Sequence, residues 1–324
     1  MRTYDIAPFS IPVSAIGMGT MILHPDTTQR DFALLDAFVE NGGTYIDTAE
    51  VYGAVEEHGY SEMVIGDWLQ ARPGMREKIV LASKGLITGY CAPLHPGGAV
   101  IDPPSIHRAI DGSLARLKTD RLDLWMFHRD RPDYPVGPLV DALDEEVKAG
   151  RIQAYGASNW STARIQEAIE YARANSKAEM MSSSPNFSLA KANEPFWPDT
   201  VVTDENDKTW FAQNNFMMAA WSALGRGFFA RADRNDTSDA DLVRVFYSDG
   251  NFERKRRAEE FGEANGMNMF EIALAYVISQ DFPVVALNGA ETTGQIASSA
   301  NAGALQLDAA ARDWLDLTSN ERPF

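Results

Sequence analysis

The sequence predicts an α/β fold, a closed (β/α)8 barrel of the TIM type with a short N-terminal hairpin and long loops on its catalytic face. Three observations lead there. Short apolar runs alternate with amphipathic stretches of helical period, which implies parallel strands joined by helical crossovers. There are eight such alternations, the number that closes a barrel. The 324 residues, 45% of them hydrophobic, suit one large core, so residues 1–324 are expected to form a single domain.

The elements follow in order. The first eleven residues are expected to make a small hairpin or plug at the barrel floor. Ala15–Thr20 is the first strand, ending in the turn Gly17-Met18-Gly19-Thr20. Thr28–Asn41 is a helix, with Phe32, Leu35, Phe38 and Val39 at helical spacing, closed by Gly42-Gly43. Thr44–Thr48 is a strand and Ser61–Gln70 a helix. Ile79–Ser83 is a short buried strand, and Pro104–Leu117 a helix with Ile106, Ile110, Leu114 and Leu117 on one face. Leu122–Phe127 is a strand, Val136–Ala149 a helix ending on Gly150, and Ile152–Ala157 a strand. Ser161–Ala174 is a helix that Ser161 can cap. Met180–Ser184, Phe216–Trp221 and Val284–Leu287 complete the strands, with helices at Phe252–Asn265, Phe270–Ser279, Thr292–Asn301 and Asp308–Leu317. Two stretches exceed a minimal barrel. Leu86–Pro103 is rich in Gly and Pro, and Ala190–Asn215 carries Pro195, Trp197, Pro198 and Trp210. Both follow strands and read as long loops shaping a substrate site.

Composition narrows the function. A net charge of −17 argues against nucleic acid or an acidic membrane surface as partner, since both favour excess Lys and Arg. No run of about 18 apolar residues exists to span a membrane. Met1–Ser14 lacks the apolar core of a signal peptide, and the single cysteine, Cys91, excludes an intrachain disulfide. A cytoplasmic protein is expected.

Four residues at or beyond strand ends would meet at the mouth of such a barrel: Asp47, Tyr52, Lys84 and His128. A buried lysine asks for an anion, which Asp47 can supply. A phenol of pKa about 10 is a poor acid at neutral pH unless its anion is stabilised. An ammonium does that, and a carboxylate keeps the ammonium charged. A histidine beside the phenol can orient a carbonyl oxygen. This division of labour suits hydride reduction of a small-molecule carbonyl, or oxidation of the alcohol. Two other readings remain open: a Schiff-base barrel lyase using Lys84, and a non-catalytic, reductase-like regulatory subunit.

The chain resembles the aldo-keto reductase family. The resemblance rests on Asp47-Thr48-Ala49 with Tyr52-Gly53, on Ser83-Lys84, and on Ser113-Leu114-Ala115-Arg116-Leu117 leading to Asp120, Asp123-Leu124 and His128. It continues through Gly156-Ala157-Ser158-Asn159, Trp221-Ser222-Ala223-Leu224-Gly225-Arg226-Gly227, and Gly289-Ala290 with Gln295. The resemblance implies a (β/α)8 barrel that binds a nicotinamide cofactor without a Rossmann domain. It makes Tyr52 the general acid/base, Lys84 and Asp47 its tuning pair, and His128 the group that orients substrate. It places Ser158 and Asn159 on the nicotinamide carboxamide, Trp221 against the nicotinamide ring, and Leu224, Gly225 and Arg226 at the pyrophosphate. Gly19, Thr20, Asp47, Ser184, Ser222, Gly289, Glu291 and Gln295 complete the expected cofactor set.

The chain departs from the family pattern in three places. Ser184 stands where Gln is usual, and Ser298-Ser299 replaces a Glu-Asn pair at the adenine end. Glu291 stands where a basic or hydroxyl residue often receives the 2′-phosphate, and no Lys or Arg occurs from Ala286 to Asn301. The resemblance implies NADP(H). The carboxylate at 291 would repel a phosphate and could accept from a ribose hydroxyl, so a weakened NADPH preference with use of NAD(H) is expected. For substrate, Trp125, Trp160 and Trp197, with Arg129, Asp130 and Arg131 after His128, suggest a sugar-like or polyhydroxylated compound.

Overall fold

The structure is a computed structural model and describes residues 1–53 and 58–324. It opens with β1 (Thr3–Tyr4) and β2 (Val13–Ser14), an antiparallel pair. Then come β3 (Ile16–Gly19), α1 (Thr28–Glu40), β4 (Tyr45–Asp47), α2 (Tyr60–Ala71) and β5 (Val80–Gly85). They are followed by α3 (Pro103–Leu117), β6 (Leu122–Phe127), α4 (Val136–Lys148), β7 (Ile152–Ser158) and α5 (Thr162–Ala174). Next are β8 (Ser182–Ser184), α6 (Glu205–Asn214), β9 (Met217–Ala220), α7 (Phe228–Arg231) and α8 (Ala240–Phe246). The chain ends with α9 (Asp249–Asn265), α10 (Met269–Ile278), β10 (Val284–Asn288), α11 (Thr293–Ala302) and α12 (Ala309–Leu315).

Strands β3 to β10 pair in parallel in sequence order, and β10 returns to β3 to close the barrel. Side chains along each strand alternate between the interior and the helical layer. Two apolar cores result. Tyr45, Val80, Ala82, Leu124, Met126, Ala154, Met217, Ala219, Val285 and Leu287 fill the barrel, and Ile6, Phe9 and Ile11 of the N-terminal hairpin pack against them as the plug. The intervening residues, such as Ile46, Leu81, Trp125 and Phe127, join the larger core beneath the helices. Gly17 is where the interior has no room: a Cβ there would meet Leu287, Val285 and Tyr45 within 2.9 Å.

The Ala190–Asn215 stretch is not only a loop. It contains α6, the crossover between β8 and β9. Asp204 caps it and Asp207 returns the bond, so the capping chemistry is clear. Only Phe211 of its ten residues is buried, so there was no apolar stripe to read. Trp125 and Trp160 are core residues rather than aromatics at the mouth. Trp125 lies edge-on to Phe127, which stacks on Trp160 at 5.1 Å. Trp197 remains at the rim, 37% exposed.

Candidate active site

Strand phase explains which polar residues face inward. Asp47 is two residues beyond the interior-facing Tyr45, Lys84 two beyond Ala82, and His128 two beyond Met126. Ser158, Trp221, Gly19 and Gly289 share the phase of their own strands in the same way. Each lies at the carboxyl end of its strand, the end where loop residues and inward side chains meet.

Lys84 sits at the centre. Its Nζ is 2.5 Å from Asp47 Oδ2, donates to the Thr48 carbonyl at 3.0 Å, and reaches the Tyr52 hydroxyl at 3.5 Å. Asp47 and Lys84 are both 2% exposed. Burial alone would neutralise Lys84, but Asp47 and Tyr52 outweigh it and hold the ammonium charged, with its pKa raised. Burial pushes the Asp47 carboxyl up while Lys84 pulls it back. Burial also pushes the Tyr52 phenol above its ordinary value, against the opposing pull of Lys84. The expected stabilisation of the phenolate is therefore present, yet the net effect keeps the phenol protonated. His128 lies edge-on to Tyr52, ring centres 5.8 Å apart. Burial, with the charges of Lys84 and Arg129, holds its imidazole well below the usual histidine range, hence neutral.

Glu50 and His95 were not singled out by sequence. Glu50 Oε1 accepts the Leu86 amide at 2.7 Å, and Oε2 is 3.0 Å from His95 Nε2, both residues being buried. The Glu50 amide donates to the Lys84 carbonyl at 2.9 Å. This pair ties the loop after β5 to the segment carrying Tyr52. The partners are 45 residues apart in sequence, so spacing offered no signal.

The residues expected around a nicotinamide meet at one side of the mouth. Asn159, held at φ +62°, donates to Ser158 Oγ at 2.9 Å and accepts from the Trp221 indole at 3.2 Å. Ser158 donates to the Ser184 carbonyl, and Ser184 in turn donates to the Ala219 carbonyl. Gly19 and Gly289 face each other closely; a Cβ on Gly19 would lie 3.6 Å from the Gly289 amide. Ser222, Gly225, Arg226 and Gly227 all take positive φ, which turns this loop tightly beyond β9, with Leu224 half-buried within it. Arg226 lies 4.6 Å over the Phe196 ring and 4.9 Å over Trp197, and has no ion-pairing carboxylate among the described residues.

These features fit a nicotinamide dinucleotide. Asp47 Oδ1 and His128 Nδ1 are buried without hydrogen-bond partners among the described residues, and Arg226 offers a positive charge of the kind a pyrophosphate needs. Two expected contacts have other work. Thr20 is fully buried, with its hydroxyl on the Asp47 carbonyl. Gln295 Oε1 accepts the Glu291 and Thr292 amides at the start of α11. Glu291 itself is exposed.

The sequence model of the Aldo/keto reductase family matches residues 15–316. This chain belongs to the aldo/keto reductase family. It is accordingly an NAD(P)H-dependent oxidoreductase. A 6-dehydroglucose reductase of Novosphingobium aromaticivorans is 29% identical, the match covering 94% of this chain and 90% of that one. The aldo-keto reductase yakc [NADP(+)] of Schizosaccharomyces pombe is also 29% identical, over 91% of this chain and 84% of its own. Among solved structures, an aldo-keto reductase from Klebsiella pneumoniae in complex with NADPH superposes with a TM-score of 0.69 at 25% identity. That match covers 97% of this chain and 93% of the other. No described helix is long and apolar enough to cross a membrane.

Proposed function

We propose that the chain reduces an aldehyde or ketone with Tyr52 as general acid, and runs the reverse oxidation with Tyr52 as base. The observation that carries this reading is the chain from the buried Asp47–Lys84 pair to the half-buried Tyr52, with a neutral His128 beside it. When bound, the nicotinamide supplies the hydride that the carbonyl carbon accepts. Tyr52 gives its proton to the carbonyl oxygen, and the Lys84 ammonium steadies the phenolate left behind. Asp47 keeps Lys84 charged and aimed. His128, kept neutral, positions the carbonyl oxygen without adding a competing charge. A lysine nucleophile for Schiff-base chemistry must lose its proton. Lys84 is held in the opposite state, which favours the reductase reading.

Replacing Tyr52 by Phe removes the proton donor while leaving the ring in place. Turnover is expected to fall by about 10²–10⁴-fold, the usual worth of general acid catalysis. Nucleotide affinity, followed by protein fluorescence, should change little. A Y52F enzyme with undiminished turnover would remove Tyr52 from the mechanism.

For the cofactor, NADP(H) accords with the NADP(+)-dependent yakc relative and the NADPH-bound Klebsiella pneumoniae structure, while Glu291 argues for weakened discrimination. The basic side chain expected near a 2′-phosphate is missing after β10, and Gln295 is committed to capping α11. Steady-state comparison should give NADH and NADPH efficiencies within about an order of magnitude, with E291K shifting the balance toward NADPH. A strong native NADPH bias would count against this role for Glu291. A sugar-like, polyhydroxylated substrate remains the candidate class, in keeping with the 6-dehydroglucose reductase relative.

A further inference from the structure

Three arginines crowd the corner beyond β6 and β7, and two of them are satisfied. Arg164 pairs with Asp130 and Glu167 and donates to the carbonyls of Arg131 and Tyr134. Arg131 reaches Asp133 and the Ile101 carbonyl. Arg129, half-buried, has no ion-pairing carboxylate among the described residues. Its one side-chain hydrogen bond, from Nη1 at 2.9 Å, goes to the His128 carbonyl. Asn159 donates to that same carbonyl at 3.3 Å. The guanidinium and the Asn159 carboxamide thus share one acceptor, the His128 carbonyl, which sets Arg129 beside the residues expected around the nicotinamide and the reacting carbonyl. Its main chain is fixed as well, since the Trp160 indole donates to the Arg129 carbonyl at 3.1 Å. Asp199, exposed on the neighbouring loop at φ +56°, feels this charge but does not pair with it.

A guanidinium drawn partly out of water, held by its backbone and left with most of its N–H donors free, is arranged to take an anion in fork geometry. We infer that Arg129 recognises a carboxylate on the substrate, so that the preferred compounds are carbonyl acids (keto, formyl or uronic) rather than neutral aldehydes. Arg226 is the other rim arginine without a carboxylate, and it is expected at the cofactor pyrophosphate. The two cations thus divide the mouth between cofactor and substrate. This inference rests on the reductase reading and sharpens its substrate class.

The test compares 4-carboxybenzaldehyde with methyl 4-formylbenzoate, two electron-poor aldehydes that differ in charge. Native enzyme with NADPH should favour the carboxylate by about tenfold in kcat/KM, mostly through KM, as one charge-assisted contact provides. R129M should lose far more efficiency on the acid than on the ester, and R129K should recover part of the difference. Raised salt should increase KM for the acid only. Equal native efficiencies, or equal losses on both substrates in R129M, would overturn the inference. If neither aldehyde is reduced, the proposed reduction does not extend to aryl aldehydes. The anion site is then decided separately by calorimetric binding of 4-methylbenzoate and 4-methylbenzamide to the NADPH-loaded protein. Binding of the acid alone, lost in R129M, supports the site; binding of neither, or of both alike, rejects it.

Discussion

Tyr52 is under two opposed influences, and their balance sets a pH dependence. Burial raises the phenol above its ordinary value of 10.0 and Lys84 pulls it down, with burial winning. The protonated form, which reduction needs, therefore persists through neutral pH and past the usual tyrosine range. Reduction should run flat from pH 6 to about 9 and fall only in strong alkali, while oxidation, which needs the phenolate, rises with pH. His128 is held neutral, so no break should occur near its ordinary value of 6.5. K84M removes the downward pull and should push the alkaline break of oxidation higher still. A reduction profile falling between pH 7 and 8 in the native enzyme, but flat in Y52F, would contradict this balance. The inward direction of Asp47, Lys84 and His128 was legible in sequence, because a two-residue period and a strand end fix both face and height. The direction of the Tyr52 shift was not, since burial of a loop residue depends on what packs over it. Arg129 was visible only as one of three charges after β6; which of them lacks a partner is a tertiary fact.

Most barrel elements could be placed from apolar periodicity alone, and the exceptions share a physical cause. α6 shows one buried residue in ten, and α7 and α8 are too short for a repeat to register. The loop between β5 and α3 was recognised by its Gly and Pro content, but not what anchors it. Leu86 takes φ +68°, a conformation that costs a non-glycine residue roughly 1–2 kcal/mol. The Glu50 carboxylate on its amide helps to offset that strain and, through His95, fastens the far side of the loop. E50A should free this segment. Amide exchange at Leu86, Gly89 and Ala99 should accelerate, and turnover should fall about tenfold because Lys84 and the Tyr52 segment share the same backbone contact. E50Q keeps an acceptor for Leu86 and should restore much of the protection. Unchanged exchange in E50A would show that the loop is held by its own turns.

Several elements of the outer helical ring meet at one carboxylate that makes no contact with the catalytic four. Asp316, just past α12, accepts the Tyr276 hydroxyl of α10 at 2.7 Å and pairs with Lys191 at 3.0 Å, Arg254 of α9 at 3.3 Å and Lys208 of α6 at 3.8 Å. The last helix is thereby joined to three others and to the loop beyond β8. Burial alone would raise the Asp316 carboxyl, but Lys191, Tyr276 and Lys208 outweigh it and hold it below its ordinary value of 3.8. A depressed folded value means that the ionised form is favoured in the native state. Its stabilisation is complete above the unfolded value and is lost as pH falls through the lower folded one. Native protein should therefore weaken below pH 4. D316N leaves the surrounding cations without their anion and should cost about 3–5 kcal/mol at neutral pH, the usual penalty for breaking a buried pair from one side. Urea unfolding at pH 7 and at pH 3.5 separates the two effects: the difference between native and D316N should shrink in acid. A difference that stays constant with pH would mean that Asp316 acts through shape rather than charge. Catalysis by D316N molecules that remain folded should be near native, because the four residues at the mouth are carried by strand ends that Asp316 does not touch.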